Sequence, residues 1–137
     1  MIAILLVTHA HIGEELISAA QHTFGCAPVR LEAFPVSSKD SSEELEAALR
    51  ARISALDDGD GVLLLTDIYG ATPANVAART VVTGRVEMVG GVNLPMLLRA
   101  LNYRSLPLQD LVNKALSGGL SGIVCATGAN GGREVGR

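Results

Sequence analysis

Residues 1–16 read MIAILLVTHAHIGEEL and contain the clearest pattern for the fold that we expect. The apolar run from Ile2 to Val7 lacks an alternation of apolar and polar residues, which is typical of a parallel strand covered on both faces. The run ends in Thr-His-Ala-His at 8–11, and a helical pattern begins at Gly13. The stretch therefore predicts a buried strand that carries imidazole side chains at its carboxyl end.

The rest of the chain repeats this order of strand and helix. The predicted strands are Ile2–Val7, Val29–Phe34, Gly61–Thr66 and Val86–Val89, and the predicted helices between and after them are Gly13–Phe24, Ser42–Leu56, Pro73–Val82 and Pro95–Leu101. Strict alternation of strands and helices favours right-handed crossovers. We therefore predict an α/β fold, with a doubly wound, mainly parallel sheet flanked by helices.

The pattern weakens after Leu101. Residues 106–116 predict a further helix that Gly118 and Gly119 would end, and residues 122–126 are a candidate for one last short strand. The glycine-rich segment 127–137 is predicted to be a flexible tail. Residues 1–126 would then form the single domain of this chain.

Composition narrows the classes of function. The chain has 137 residues, 48% hydrophobic content, a net charge of -3 and only 3% aromatic residues, which suits one globular domain and argues against nucleic acid as a partner. The first apolar run is too short for a membrane span and has no basic segment before it, so we expect a cytoplasmic protein without membrane insertion. Cys26 and Cys125 have no ligand spacing and are predicted to be buried, reduced thiols.

The carboxyl ends of parallel strands share one edge of a sheet, where ligands bind. His9 ends the first predicted strand and Asp67 ends the third, so a carboxylate would fix one ring nitrogen and leave the other free. The alternatives are ordinary: His9 as a half-buried polar residue bonded to a carbonyl, and Asp67 as a turn-capping group. His11 has no partner that the sequence identifies.

A helix start at the same edge favours an anion. Thr72 precedes Pro73 and is predicted to be the N-cap, which would leave backbone N–H groups near Ala74 and Asn75 free for a phosphate. The sequence contains no Walker A motif, no GxGxxG fingerprint and no HExxH or acidic metal cluster. Transfer of a phosphoryl group by a histidine, without a metal or cofactor, fits these residues best.

With these residues in place, the chain from Met1 to about Ala126 resembles the mannose-family IIA component of the bacterial phosphoenolpyruvate-dependent sugar phosphotransferase system. The stretches that carry the resemblance are AILLVTHAHIGEEL at 3–16, GVLLLTDIYGATPANVA at 61–77 and GGVNLPMLL at 90–98. Three separated motifs in the same order make the resemblance specific.

The resemblance implies roles for individual residues. His9 would accept a phosphoryl group from the carrier HPr and pass it to a histidine or cysteine of a IIB component, and Asp67 would orient the imidazole. Thr72 would bind the phosphate, and we predict that Thr8, Gly70 and Ala71 lie around it as well.

The resemblance also implies an assembly. The family forms homodimers in which a last strand, here 122–126, crosses to the partner as an antiparallel edge. Peripheral association with a IIC/IID permease is a further possibility.

Three other functions stay open at this point. One is a phosphorylation-dependent regulatory module without a transporter, and another is the phosphocarrier subunit of a dihydroxyacetone kinase, which uses the same fold and histidine. The third is a flavodoxin-like module, but such a module would need a hydroxyl-rich phosphate loop after the first strand and more aromatic residues than this chain has.

Overall fold

The computed structural model describes residues 1–37 and 39–127 of this chain. The strands are β1 (Ala3–His9), β2 (Leu31–Val36), β3 (Val62–Thr66) and β4 (Val86–Val89), and the helices are α1 (Ile12–Phe24), α2 (Ser42–Leu56), α3 (Thr72–Ala78), α4 (Leu94–Asn102) and α5 (Leu108–Ser121). All pairings are parallel, in the order β2-β1-β3-β4. The predicted parallel α/β architecture is confirmed.

Helices cover both faces of the sheet, because β1 is apolar and buried from Ala3 to Val7. Its odd-numbered residues pack with α2 and α3, in a cluster that includes Leu5, Leu49 and Val76. Its even-numbered residues pack with α1, α4 and α5, in a cluster that includes Leu6 and Leu97. A strand buried on both faces cannot alternate apolar and polar residues, which is why β1 reads as one continuous apolar run.

Two strands differ from their predicted limits by two residues, whereas β3 begins only one residue later than predicted. β1 extends two residues beyond Val7, so His9 lies on the strand itself, paired in register with Val36 of β2. β2 begins at Leu31 and not at Val29, because Arg30 has a left-handed backbone (φ 55°) that an extended strand does not admit. Both shifts move the strand ends toward the carboxyl edge of the sheet.

Two helices differ from prediction by four or more residues at their carboxyl ends. α3 ends at Ala78 and not at Val82, because the next backbone N–H groups bond three residues back instead of four, as Thr80 does to the Ala77 carbonyl. α5 runs through Gly118 and Gly119, so the predicted break there is wrong. A Cβ on Gly118 would lie 2.5 Å from the Cβ of Arg99, and these glycines let α5 approach α4 closely.

The segment after α5 contains no strand in the described part of this single chain. Residues 122–127 are exposed there, so the predicted strand at 122–126 is not formed within one chain. Of the predicted tail, only Thr127 falls within the described residues. Cys26 and Cys125 are exposed, so their predicted burial is wrong: each lies in a segment that follows a helix and is not packed into the core. Within 1–37 and 39–127, every helix lacks the length or the apolar run that a membrane crossing requires.

Candidate active site

The sheet brings His9 and Asp67 together because β1 and β3 are neighbours. Val7 pairs with Thr66, the last residue of β3, so the chain leaving β3 places Asp67 beside the end of β1. His9 Nδ1 lies 2.7 Å from Asp67 Oδ2, although 58 residues separate the two in sequence. The predicted proximity of this imidazole and this carboxylate is confirmed.

The Asp67 carboxylate is held by three hydrogen bonds. Its Oδ2 atom accepts the backbone N–H of His9 at 3.0 Å in addition to the ring contact, and its Oδ1 atom accepts the backbone N–H of Ile68 at 3.0 Å. The Asp67 side chain is 11% exposed, whereas that of His9 is 47% exposed. The acid is therefore fixed at the base of the site, and the ring extends from it into solvent.

The pKa of Asp67 lies below its ordinary value despite partial burial. Desolvation is the largest single influence and acts to raise the pKa, but the backbone N–H of His9, the His9 ring and the remaining hydrogen bonds together outweigh it. Asp67 is consequently ionised near neutral pH and serves as a hydrogen-bond acceptor for the imidazole. With Nδ1–H donated to the carboxylate, the lone pair of the neutral ring lies on Nε2.

Thr8 has a different place from the one expected. It is buried, and its Oγ1 accepts the backbone N–H of Gly13 at 2.8 Å, which fixes the start of α1. The space beside it is tight, since a Cβ on Gly13 would come within 3.1 Å of Thr8 Oγ1. This geometry gives Thr8 a role in holding the chain behind His9.

The loop between β3 and α3 carries the other predicted phosphate ligands. α3 begins at Thr72, and extended Ala71 (ψ 175°) is the N-cap, so the predicted N-cap role of Thr72 is wrong. The backbone N–H of Asn75 donates to the Ala71 carbonyl at 2.9 Å and is not free as expected. Gly70 adopts a left-handed backbone (φ 92°), and the Asn75 side chain donates to its carbonyl.

Two further residues lie at this edge of the sheet. The Tyr69 side chain is 79% exposed. His11 has a partner after all: its Nδ1 lies 2.6 Å from Glu14 Oε1. The three-residue spacing on the first turn of α1 is a signal that would have identified this pair.

These features define a doubly wound α/β protein whose active edge carries an aspartate-oriented histidine. A family model described as "PTS system fructose IIA component" matches residues 3–116. The chain is 33% identical over 121 residues to the fructose-specific EIIA component of Bacillus subtilis (strain 168), covering 85% of this chain and 82% of the relative. The chain belongs to this IIA family of the phosphotransferase system.

Other known proteins agree with this assignment. The chain is 32% identical over 125 residues to the mannose-specific EIIAB component of Escherichia coli (strain K12), covering 89% of this chain but spanning only 38% of the relative's length. The crystal structure of the phosphotransferase system component EIIA from Streptococcus agalactiae superimposes with a TM-score of 0.82 at 26% identity, covering 93% of this chain and 98% of that one. The predicted family resemblance is therefore confirmed.

Proposed function

We propose that this chain is a phosphoryl relay of the phosphotransferase system. His9 accepts the phosphoryl group of phospho-HPr and passes it to a IIB component in sugar uptake. The observation that carries the proposal is the 2.7 Å contact between His9 Nδ1 and Asp67 Oδ2, which leaves a half-exposed ring at the carboxyl edge of the sheet. A histidine oriented in this way is a nucleophile whose free nitrogen a partner protein can reach.

The transfer step conserves atoms and charge without a metal. The Nε2 lone pair of His9 forms a new N–P bond as the P–N bond to the HPr histidine breaks, and the leaving imidazole keeps that bond's electron pair. The Nδ1 proton stays between the His9 ring and the Asp67 carboxylate, which balances the positive charge that develops on the ring. In transfer to the IIB component, the nucleophile of that component forms the new bond to phosphorus. The N–P bond of His9 breaks, and Nε2 keeps its electron pair.

The β3–α3 loop supplies the contacts for the phosphoryl oxygens in this proposal. Thr72 is exposed at the first position of α3, and the first turn of a helix has N–H groups without partners inside the helix. The backbone of Gly70 and Ala71 directly precedes Thr72 in this loop. Asn75 holds it in place by donating hydrogen bonds to both carbonyls. Thr8 contributes indirectly, by fixing the chain behind His9.

Assembly and location belong to the same proposal. We expect a cytoplasmic homodimer in which residues 122–126 pair with a second copy, since Ile123 and Val124 are exposed apolar residues beyond α5. A IIC/IID permease would be contacted only peripherally. The alternatives of a kinase subunit and a flavodoxin-like module receive no support from relatives that are named as EIIA components of sugar systems.

Incubation with phosphoenolpyruvate, enzyme I and HPr tests the relay directly. We expect acid-labile phosphate on His9 by mass spectrometry, and its loss from His9→Ala. The matched control is His22→Gln, which changes an exposed histidine in the last turn of α1 and should retain full phosphorylation. Phosphate retained by His9→Ala would contradict the assignment.

A second measurement separates transport from regulation. If the chain is a relay in uptake, phosphorylated protein should lose its label to a IIB component within the time of the assay. A regulatory module would keep the label and change its binding partners instead. Slow or absent transfer to every IIB component offered would favour the regulatory alternative.

A further inference from the structure

The His11–Glu14 pair reproduces the arrangement of the His9–Asp67 pair. In both, a carboxylate oxygen contacts Nδ1 of an imidazole, at 2.6 Å for His11 and 2.7 Å for His9. No residue within 1–37 or 39–127 forms a hydrogen bond with Nε2 of His11, whose side chain is 81% exposed. His11 therefore has a second nitrogen directed away from its carboxylate partner.

The position of His11 breaks a local rule of helix formation. It is the N-cap residue of α1 but makes no capping hydrogen bond, at a position where Ser, Thr, Asp and Asn are preferred. Thr8 makes the capping contact from upstream, since its hydroxyl accepts the Gly13 N–H. The His11 ring is therefore not needed to cap α1. Residues that depart from the local sequence preference are concentrated at functional sites.

Both imidazoles line one surface depression of about 550 Å³. Its walls are His9, Ala10, His11, Pro35, Val36 and Ser37. Ala10 lies between the two histidines with a left-handed backbone (φ 45°), a conformation that bends the chain at this point. Among these described lining residues there is no lysine or arginine, although proteins commonly hold phosphoryl groups with such cations.

We propose that protonated His11, oriented by Glu14, donates its Nε2–H to a phosphoryl oxygen while the group is bound to His9. This inference rests on the proposed function of His9. The charged groups that act on His11 are Glu14 and Glu15 of α1, and the His9 ring faces the same depression. The hydrogen bond that the His11 ring donates to Glu14 raises the pKa of His11, which extends the range of pH over which the ring is a cation.

The test compares His11→Gln and His11→Lys with the wild-type protein, using phospho-HPr as the donor. At about pH 6, where an ordinary histidine is largely protonated, His11→Gln should lower kcat/KM roughly tenfold, the scale of one charge-assisted hydrogen bond. At about pH 9 the difference from wild type should be smaller, because fewer His11 rings carry the proton there. His11→Lys is charged at both pH values and should transfer faster than His11→Gln at both. The control is again His22→Gln, and circular dichroism confirms that each variant is folded.

The outcomes separate this inference from the proposed function. If wild-type protein takes no phosphate on His9, the proposed function itself is wrong. If wild-type protein is phosphorylated but His11→Gln equals it at both pH values, only the role of His11 is wrong. Phosphate mapped to His11 in wild-type protein would also overturn the inference, because the ring would then be an acceptor and not a donor.

Discussion

The two histidine–carboxylate pairs at the carboxyl edge look alike but have different physical origins. His9 and Asp67 lie 58 residues apart and meet because β1 and β3 are adjacent in the sheet. His11 and Glu14 lie three residues apart and meet because one helical turn joins them. The geometry of the first pair is therefore a property of the whole fold, whereas the second pair can change without changing the fold.

Solvent exposure gives the two pairs different chemistry. The nearly buried Asp67 carboxylate receives hydrogen bonds that lower its pKa, so it remains a fixed acceptor near neutral pH. The Glu14 side chain is 49% exposed, and exposed ion pairs contribute only about 0–1 kcal/mol to stability. The first pair thus fixes the orientation of the His9 ring, and the second influences the charge of the His11 ring.

Asp67→Asn should produce the largest effect. An amide can present its NH2 group to Nδ1 and favour the wrong tautomer of His9, so we expect phosphoryl transfer from phospho-HPr to slow by more than about tenfold. Stopped-flow or quenched-flow transfer assays measure the rate. Asp110→Asn, an exposed change on α5, is the matched control. If Asp67→Asn accepted the phosphoryl group at the wild-type rate, the His9–Asp67 pair would have no orienting role that the His11–Glu14 pair lacks.

Thr8→Val should have a smaller effect, mainly on stability. The valine leaves the buried N–H of Gly13 without its acceptor, which costs about 1–2 kcal/mol of unfolding free energy. For a domain of this size the midpoint of thermal unfolding should fall by roughly 3–6 °C.

Thr23→Val provides the control for that measurement. Thr23 is an exposed threonine on the same helix, and its hydroxyl bonds only the Ala19 carbonyl, so the change should stay within about 0.5 kcal/mol. Equal losses in the two variants would mean that Thr8 has no special role at the start of α1.

Acid pH should reveal the contribution of Asp67 to stability. Because its folded-state pKa lies below the unfolded-state value of 3.8, the stabilisation is present above that value and is lost as the pH falls through the folded-state pKa. The difference in unfolding free energy between wild type and Asp67→Asn should therefore be constant near neutral pH and shrink below about pH 4. Urea unfolding at several pH values measures it. A difference that persists at the lowest pH would show that the hydrogen bonds do not depend on ionisation.

Sequence patterns predicted the features that depend on long apolar runs. The continuous apolar character of β1 and the alternation of elements were enough to predict the parallel sheet, and the strand ends were enough to bring His9 and Asp67 together. Features that depend on packing between elements were not predictable in this way. Gly118 reads as a helix breaker, yet it lies within α5 because α4 leaves no room for a side chain. Thr8 reads as a surface ligand until its contact with Gly13 is seen.

Glu14→Gln should give the smallest effect and tests the second pair most directly. The hydrogen bond that the His11 ring donates to Glu14 is the largest influence that raises the pKa of His11, and the amide of the variant lacks the negative charge of Glu14. We therefore expect the His11 ring protons to titrate at lower pH in this variant, as followed by NMR, while Asp67→Asn leaves the His11 midpoint in place. Because His11 is protonated over a narrower range, the difference in transfer rate between wild type and Glu14→Gln should be confined to pH values between the two midpoints. A midpoint that does not move would show that the 2.6 Å contact has no electrostatic consequence in solution, and His11 would then lack the charge that its proposed role requires.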